Sequence, residues 1–220
     1  MNEFNSEVIT NLKVYDLFES FVASGYAMIS EYDLDFIEKE IKNLEYENHD
    51  LRKRVIFYND HTKRVFKLIK NKLNSGHCSF AKGIIVNMDI TFTNKAWIEF
   101  QRYHFADIVT GMSTMHRISK FDLSNAFNEF TDSQIIIRLQ ELQEKYNEDR
   151  SHDNYLRLLY STPAGLKMTG RVTTNYLQLM NIWQQRHNHR LPEWRQFCKE
   201  LQDKLPFFED FLKANGILKE

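Results

Sequence analysis

One stretch of the chain mixes basic and titratable side chains with apolar ones. Residues 101–117 read QRYHFADIVTGMSTMHR and hold two arginines, two histidines and one aspartate. An ordinary loop or helix surface does not require this mixture, whereas arginine and protonated histidine supply hydrogen-bond donors to a ligand. The stretch is therefore the first candidate binding site.

A helical interpretation places part of this stretch on one face. We predict a long helix that begins at about Thr93 and has residues 101–117 as its second half. One stripe of this helix would consist of Trp97, Gln101, His104 and Ile108. On such a partly buried face, a hydrogen-bonded core histidine is the alternative to a ligand-binding one. Gly111 can break the helix, and polar side chains would then converge with it from Ser113, His116 and Arg117.

A second candidate is the amide-rich segment of residues 172–190, VTTNYLQLMNIWQQRHNHR. We predict a helix from about Val172 to Gln185, with an apolar arc opposite an arc of amides and hydroxyls. The polar arc and its border hold Thr174, Gln178, Asn181, Gln185, Asn175 and Arg186. Amides both donate and accept hydrogen bonds, which suits a neutral heteroaromatic ligand. Packing against another helix or subunit is the alternative.

Basic residues cluster at the end of this predicted helix, where residues 186–190 read RHNHR. Arg186 can make a bidentate contact with a phosphate or with the carbonyl edge of a base. His187 and His189 form an H-x-H pair, but without a third ligand at a suitable spacing we predict no metal site. The alternative is a set of cations that only stabilises the C-terminus of the helix through its dipole.

The remaining pattern predicts a helix-rich domain that also contains strands. Residues 81–92, AKGIIVNMDITF, are the strongest candidate strand, and residues 25–30, GYAMIS, could form another. Helices are predicted over residues 35–60, from 61 to an end at Gly76, and over about 133–146, 153–160, 172–185, 193–203 and 206–220. The chain has no repeat and no linker-like segment, so we expect a single domain over residues 1–220.

Composition argues against two classes of partner. The chain has 220 residues, of which 42% are hydrophobic, and a formal net charge of −1. Such a chain has no overall field that attracts nucleic acid or an anionic membrane, so we expect neither as a partner. The first residues lack the pattern of a secretory signal, and Cys78 and Cys198 stand far apart in the sequence. We expect a cytoplasmic protein with two inert thiols.

The order of these segments resembles the flavin-dependent thymidylate synthases. The resemblance covers most of the chain from about residue 60, through NSGHCSF, the candidate strand, WIEFQRYHFADIVTGMSTMHR, STPAGLKM, NYLQLMNIWQQR and PFFEDFLKANGILKE, and more loosely GYAMIS. It implies an α+β domain, helix-rich around a small and mostly antiparallel sheet. It also implies a homotetramer that binds FAD between subunits. Such an enzyme transfers a one-carbon unit from methylenetetrahydrofolate to C5 of a pyrimidine deoxynucleotide, dUMP, with NADPH as reductant.

The family signature R-H-R-x-x-S-x-N-E-x-S-x-R-Y is similar to residues 102–115. Arg102 stands at its first arginine, Tyr103 replaces the histidine and His104 replaces the second arginine. The resemblance implies that Arg102 and His104 hold the flavin. It further implies contacts with the nucleotide from Gln101, Ser113 and Arg117.

The same resemblance assigns the other site residues. Flavin contacts from one helix and from segments of a neighbouring subunit fall on Asn175, Asn181, Ser30, His77 and Ser79. Arg186 matches the arginine that contacts the uracil ring and helps to ionise its N3, which makes it the catalytic residue. Arg157 is the nearest candidate for a contact with the nucleotide phosphate.

Two other hypotheses remain. A relative that binds flavin or nucleotide without methylating it would act as a regulator or partner, and Val109 and Thr110 in place of the signature's Asn-Glu pair favour this. A structural, oligomeric module would use its basic residues only to stabilise helix ends. The asparagines and the arginine at Asn175, Asn181 and Arg186 favour the enzyme.

Overall fold

A computed structural model describes residues 7–47, 59–73 and 75–219. Its strands are β1 (Ile9–Tyr15), β2 (Ile85–Thr93), β3 (Asp107–Gly111) and β4 (Lys167–Asn175). They form one sheet in the order β1-β2-β4-β3, and every neighbouring pair is antiparallel. The prediction of an α+β fold with a small antiparallel sheet is confirmed.

Helices occupy most of the remaining described chain. Before β2 lie α1 (Leu17–Ala23), α2 (Leu34–Glu47) and α3 (Asp60–Ile69). Between β2 and β4 lie α4 (Asn94–Phe100), the one-turn α5 (Thr114–Arg117), α6 (Ser133–Glu148) and α7 (His152–Tyr160). After β4 come α8 (Tyr176–Arg186), α9 (Pro192–Lys204) and α10 (Phe208–Asn215). The predicted helices at 133–146, 153–160 and 193–203 are confirmed within two residues at each end, and the last helix and tail predicted over 206–220 have their helix at Phe208–Asn215.

The side chains of strand β2 alternate between the two faces of the sheet. Its buried side chains are Val86, Met88, Ile90 and Phe92. The ring of Phe92 contacts Trp194 and Phe197 of α9, with centroids 4.8 and 5.5 Å apart. On the other face, Arg171 Nη1 donates to Asp89 Oδ1 at 3.0 Å. The main core therefore lies between the sheet and the helices on one side, and the other side is polar.

A smaller core lies under α6 and α7. Its buried side chains are Ile118, Leu123, Phe127, Leu139, Leu142, Leu158 and Leu166. Met168, at the start of β4, packs against both cores. This contact fixes the helical region next to the end of the sheet where β3 pairs with β4.

The edge strand β1, which the sequence does not predict, is attached to α9 by a carboxylate. Glu200 accepts hydrogen bonds from the backbone N–H groups of Val8 and Ile9, each at 2.8 Å, and from Lys204 Nζ at 2.8 Å. Burial alone would raise the pKa of Glu200, but these hydrogen bonds outweigh it and hold the pKa below its usual value. The strand is therefore held by a long-range contact and not by a strong local pattern.

The prediction of one long helix from Thr93 is wrong. The Thr93 hydroxyl does cap a helix by accepting from the N–H of Ala96, but α4 ends at Phe100. Phe105 then adopts a left-handed backbone conformation with φ 62°, and strand β3 follows. The strand forms because Ile108 and its β-branched neighbours pair with β4, a contact far away in sequence.

The helix predicted from Val172 begins four residues later. Residues 172–174 are β-branched and belong to β4, and the Asn175 side chain caps α8 by accepting from the N–H of Gln178 at 2.9 Å. The arc that placed Thr174 beside the helix amides is therefore wrong. Residues 26–28 form a 3₁₀ turn instead of a strand, and α3 ends at Ile69 before Gly76. Of the helix predicted over 35–60, residues 48–58 lie outside the described residues.

Candidate functional site

The turn before β3 exposes two basic side chains. Arg102 and His104 are both exposed, and neither side chain makes a hydrogen bond or ion pair with any other residue that the structure describes. The turn depends on the left-handed conformation of Phe105, which costs free energy in a bulky residue. The Thr174 hydroxyl holds it by donating to the Phe105 carbonyl oxygen at 2.8 Å. Strand β4 thus positions the basic turn.

Two open grooves border this turn. The first has a volume of about 860 Å³ and is lined by Gln101 and residues 103–108. The second, about 460 Å³, lies between α4 and the β3–β4 pair and is lined by apolar side chains such as Trp97 and Met168. Gln101 and Ile108 line both grooves. An apolar surface next to free cations suits a ligand that combines a flat ring with an anionic group.

Gly170 lies close to the ring of Trp97, and both residues line the second groove. At Gly170, a Cβ atom would lie 3.1 Å from the ring of Trp97. The Trp97 indole N–H also donates to the Met168 carbonyl oxygen at 2.9 Å, which holds this ring at the start of β4. A side chain at position 170 would therefore require the Trp97 ring to shift by a few tenths of an ångström.

Arg186, the predicted catalytic residue, lies at the centre of a half-buried cluster that connects three elements. Its Nε donates to the Tyr103 hydroxyl oxygen at 2.6 Å, and its Nη1 donates to Glu99 Oε2 at 3.0 Å. Its guanidinium carbon lies 4.9 Å from the centroid of the Trp194 ring, a cation–π distance. The side chains of Arg186 and Glu99 are 16% and 15% exposed, so little water screens this ion pair. The cluster holds the C-terminus of α8 against α4 and α9.

Burial and charge act on the titratable groups of this cluster in opposite directions. Burial raises the pKa of Tyr103, although the hydrogen bond from Arg186 partly opposes this shift. Burial also lowers the pKa of His189, an effect that Glu99 opposes and Arg186 reinforces. His189 Nε2 lies 2.8 Å from Arg186 Nη1 and 3.3 Å from Glu99 Oε2, and its Nδ1 accepts from the Leu191 N–H at 3.2 Å. We therefore describe His189 as neutral and Tyr103 as protonated near pH 7.

The asparagines of α8 have local hydrogen-bond partners. Asn175 uses its side-chain oxygen to cap the helix, which leaves its amide N–H₂ as a donor. Asn181 Nδ2 donates to the Leu177 carbonyl oxygen at 3.1 Å, which leaves its Oδ1 as an acceptor. Both side chains are only half-buried. Each can still offer one polar group to a ligand on the open side of the helix.

Other predicted site residues lie elsewhere on the chain. His77 and Ser79 are exposed and line a separate groove of about 470 Å³, together with Ser20 and Phe80. Ser30 is exposed just after the 3₁₀ turn. The structure therefore does not bring these three side chains into the groove of the basic turn within one chain.

The last group of predicted residues lies around α5 and α7. Ser113 is half-buried at the N-cap position of α5, and Arg117 is exposed at the end of that helix. Arg157 is exposed on α7, and the Tyr155 hydroxyl of the same helix donates to the Met115 carbonyl oxygen at 2.9 Å. This bond fixes α7 against α5, the helix that carries Arg117.

Comparison with known proteins identifies the fold. Two crystal structures of ThyX, a flavin-dependent thymidylate synthase from Helicobacter pylori, superpose on this chain with TM-scores of 0.60 and 0.62. Both of those structures contain FAD and dUMP. The chain has a ThyX-like fold. The alignments cover 97% and 96% of this chain and 98% and 99% of the ThyX chains, at 17% and 16% sequence identity. No family model and no curated protein matches the sequence.

This likeness concerns the fold, and the site is described by its own residues. Sequence reasoning identified Arg186 but missed Glu99 and Trp194 as its partners, and it treated Tyr103 only as a replaced histidine. The i, i+4 spacing of Glu99 and Tyr103 is the one local signal that places them on the same side of α4 and its end. Within the described ranges, no group of three or more His, Cys, Asp or Glu side chains could hold a metal ion. No described helix is long and apolar enough to cross a bilayer.

Proposed function

We propose that this protein transfers a one-carbon unit from methylenetetrahydrofolate to C5 of a pyrimidine deoxynucleotide, dUMP, and uses FAD and NADPH. The observation that carries the proposal is its likeness, over nearly its whole length, to ThyX structures that contain FAD and dUMP. A further support is that Tyr103, which lies next to the basic turn, accepts a hydrogen bond from Arg186. We propose a single-domain, cytoplasmic protein that assembles as a homotetramer.

The donors at the site fit anionic ligands of this kind. The side chains of Arg102, His104 and Arg117 are exposed and have no hydrogen-bond or ion-pair partner among the described residues. They would hold the diphosphate of FAD or the phosphate of the nucleotide. The apolar groove at Trp97 and Met168 would accept a flat ring beside them. When bound, reduced FAD would supply the redox chemistry, which no side chain provides.

Arg186 would act on the pyrimidine ring. Its Nε and Nη1 are occupied, but its Nη2 has no hydrogen bond to another described residue. The two N–H groups of Nη2 would donate to the carbonyl edge of the base and stabilise the negative charge that develops as N3 loses its proton. Tyr103 and Glu99 would fix the guanidinium in place, so that little reorganisation accompanies this step.

The remaining assigned residues would complete the two binding sites. Around the flavin we place Asn175, Asn181, Ser30, His77 and Ser79. Around the nucleotide we place Gln101, Ser113 and Arg157. Because His77 and Ser79 line a groove of their own, they would reach the flavin from a neighbouring copy of the chain. The proposal thus requires an oligomer.

Flavin binding and hydrogen release test this function. The purified protein should be yellow, with absorption bands at about 375 and 450 nm, and should release the flavin on denaturation. With methylenetetrahydrofolate and NADPH it should release the C5 hydrogen of dUMP, and Arg186→Ala should abolish this release. As a control, Lys199→Ala changes an exposed cation of α9 and should leave the rate unchanged. A colourless protein that also fails to bind added FAD would refute the proposal.

A second candidate function is a flavin- or nucleotide-binding protein without methylation activity, which would act as a regulatory or interaction protein. One observation favours it: the Glu99 carboxylate, 3.0 Å from Arg186 Nη1, already compensates the charge that would stabilise an anionic base. The same assays separate the two candidates. Binding of FAD and dUMP without release of the C5 hydrogen would support this second function.

A further inference from the structure

A chain of two hydrogen bonds runs from Arg186 through the Tyr103 hydroxyl to Gln185. Arg186 Nε lies 2.6 Å from the Tyr103 hydroxyl oxygen, and that oxygen lies 3.1 Å from Gln185 Oε1. Arginine has only donors, so the hydroxyl oxygen must accept from it. The single hydroxyl proton is then free to point at Gln185, whose side-chain carbonyl oxygen accepts it.

This direction fixes the orientation of the Gln185 amide. With Oε1 held by Tyr103, the N–H₂ group must point away from the hydroxyl. Gln185 is exposed, and its N–H₂ group has no hydrogen-bond partner within the described part of the chain. Tyr103 lines the groove of about 860 Å³ beside the basic turn, and its hydroxyl oxygen is the atom that contacts the Gln185 amide. An exposed glutamine would otherwise rotate freely and could present either end of its amide.

We propose that Gln185 selects the base of the nucleotide by donating to a ring carbonyl, and that Tyr103 is the residue that positions it. A uracil-type base carries a carbonyl at C4, which accepts from the amide N–H. A cytosine-type base carries an amino group there, and two donors would face each other. Donation from the amide N–H to the C4 carbonyl favours the uracil pattern, whereas two facing donors disfavour the cytosine pattern. This inference rests on the proposed function, because it takes a pyrimidine nucleotide at Arg186 as the ligand.

The test compares the affinities of dUMP and dCMP by calorimetry on the FAD-loaded protein. The wild type should bind dUMP about tenfold or more tightly than dCMP. Gln185→Glu replaces the donor by an acceptor, so the preference should fall to about one or reverse. Gln184→Glu is the matched control, because it makes the same charge change at the adjacent exposed position of α8, and it should keep the wild-type ratio.

Tyr103→Phe tests the positioning role. It keeps the ring against Phe100 and Trp194 but removes the hydroxyl, so the amide can rotate and the ratio of affinities should fall toward one. A purely structural role would weaken both nucleotides equally and leave the ratio unchanged. That result, or an unchanged ratio in Gln185→Glu, overturns the inference alone. A wild type that binds neither nucleotide overturns the proposed function, and the inference with it.

Discussion

The ion pair between Glu99 and Arg186 should be strongly coupled to folding. Removing one partner of a fully buried pair typically costs about 3–5 kcal/mol, because the other charge is left uncompensated. Here the two side chains are 15% and 16% exposed, and Arg186 keeps Tyr103 and the face of Trp194. We therefore expect Glu99→Gln and Arg186→Gln each to lower the free energy of unfolding by about 2 kcal/mol. The double variant should cost about 1–2 kcal/mol less than their sum, since it leaves no unpaired charge.

Urea unfolding measures this coupling. With an m-value of about 2–3 kcal/mol/M, a loss of 2 kcal/mol lowers the midpoint by about 0.7–1 M. The exposed pair Arg138–Glu141 is the control, with an N–O distance of 2.6 Å and side chains 67% and 54% exposed. A double-mutant cycle of Gln substitutions at Arg138 and Glu141 should give a coupling free energy below about 0.5 kcal/mol. If the cycle at Glu99 and Arg186 gives no more than this control, the site does not depend on a shielded ion pair.

Two further predictions concern the parts that surround this pair. The pKa of His189 is lowered in the fold, so the unfolded state binds the proton first as the pH falls. The free energy of unfolding should therefore decline below about pH 6.5. In urea unfolding at pH 7.5, 6.5 and 5.5, His189→Gln should reduce the slope of the free energy of unfolding against pH. A slope equal to that of the wild type would contradict this cause. Thr174→Val should remove the hydrogen bond to the Phe105 carbonyl and lower the free energy of unfolding by about 1 kcal/mol. It should also speed amide hydrogen exchange in β3, which follows the turn and pairs with β4. Unchanged exchange in β3 would show that its pairing does not depend on this bond.

Some elements follow from local sequence signals. Helix α6 begins after Asp132, whose side chain accepts from the N–H of Gln134, and α9 begins with Pro192, which suits the first position of a helix. Strand β2 is central in the sheet, and its β-branched residues gave a clear prediction. In each of these segments the residues that decide the structure lie within a few positions of one another.

Two of the wrong predictions, the long helix from Thr93 and the helix from Val172, have one physical cause. Residues 107–111 and 167–175 are strands because they pair with each other, and Val172 faces Ile108 on one side and Met88 on the other. Those partners are far apart in sequence, so a window of neighbouring residues does not contain them. Apolar side chains at these positions also fit the spacing of a helix, and tertiary pairing decides between the two. The role of Glu99 as the partner of Arg186 could not be predicted for the same reason, since the two residues lie 87 positions apart.

The same strand pairing unites what the sequence presents as two separate candidates. The basic stretch at 101–117 and the amide-rich segment at 172–190 meet through two hydrogen bonds, from Thr174 to the Phe105 carbonyl and from Arg186 to the Tyr103 hydroxyl. Had either segment been one continuous helix, as predicted, β3 could not lie beside β4 and the turn would not reach the end of α8. The free cations then come from one segment and the oriented amides from the other. A ligand with an anionic group and a heteroaromatic ring would need both, so a substitution in either segment should change the affinity for the whole ligand.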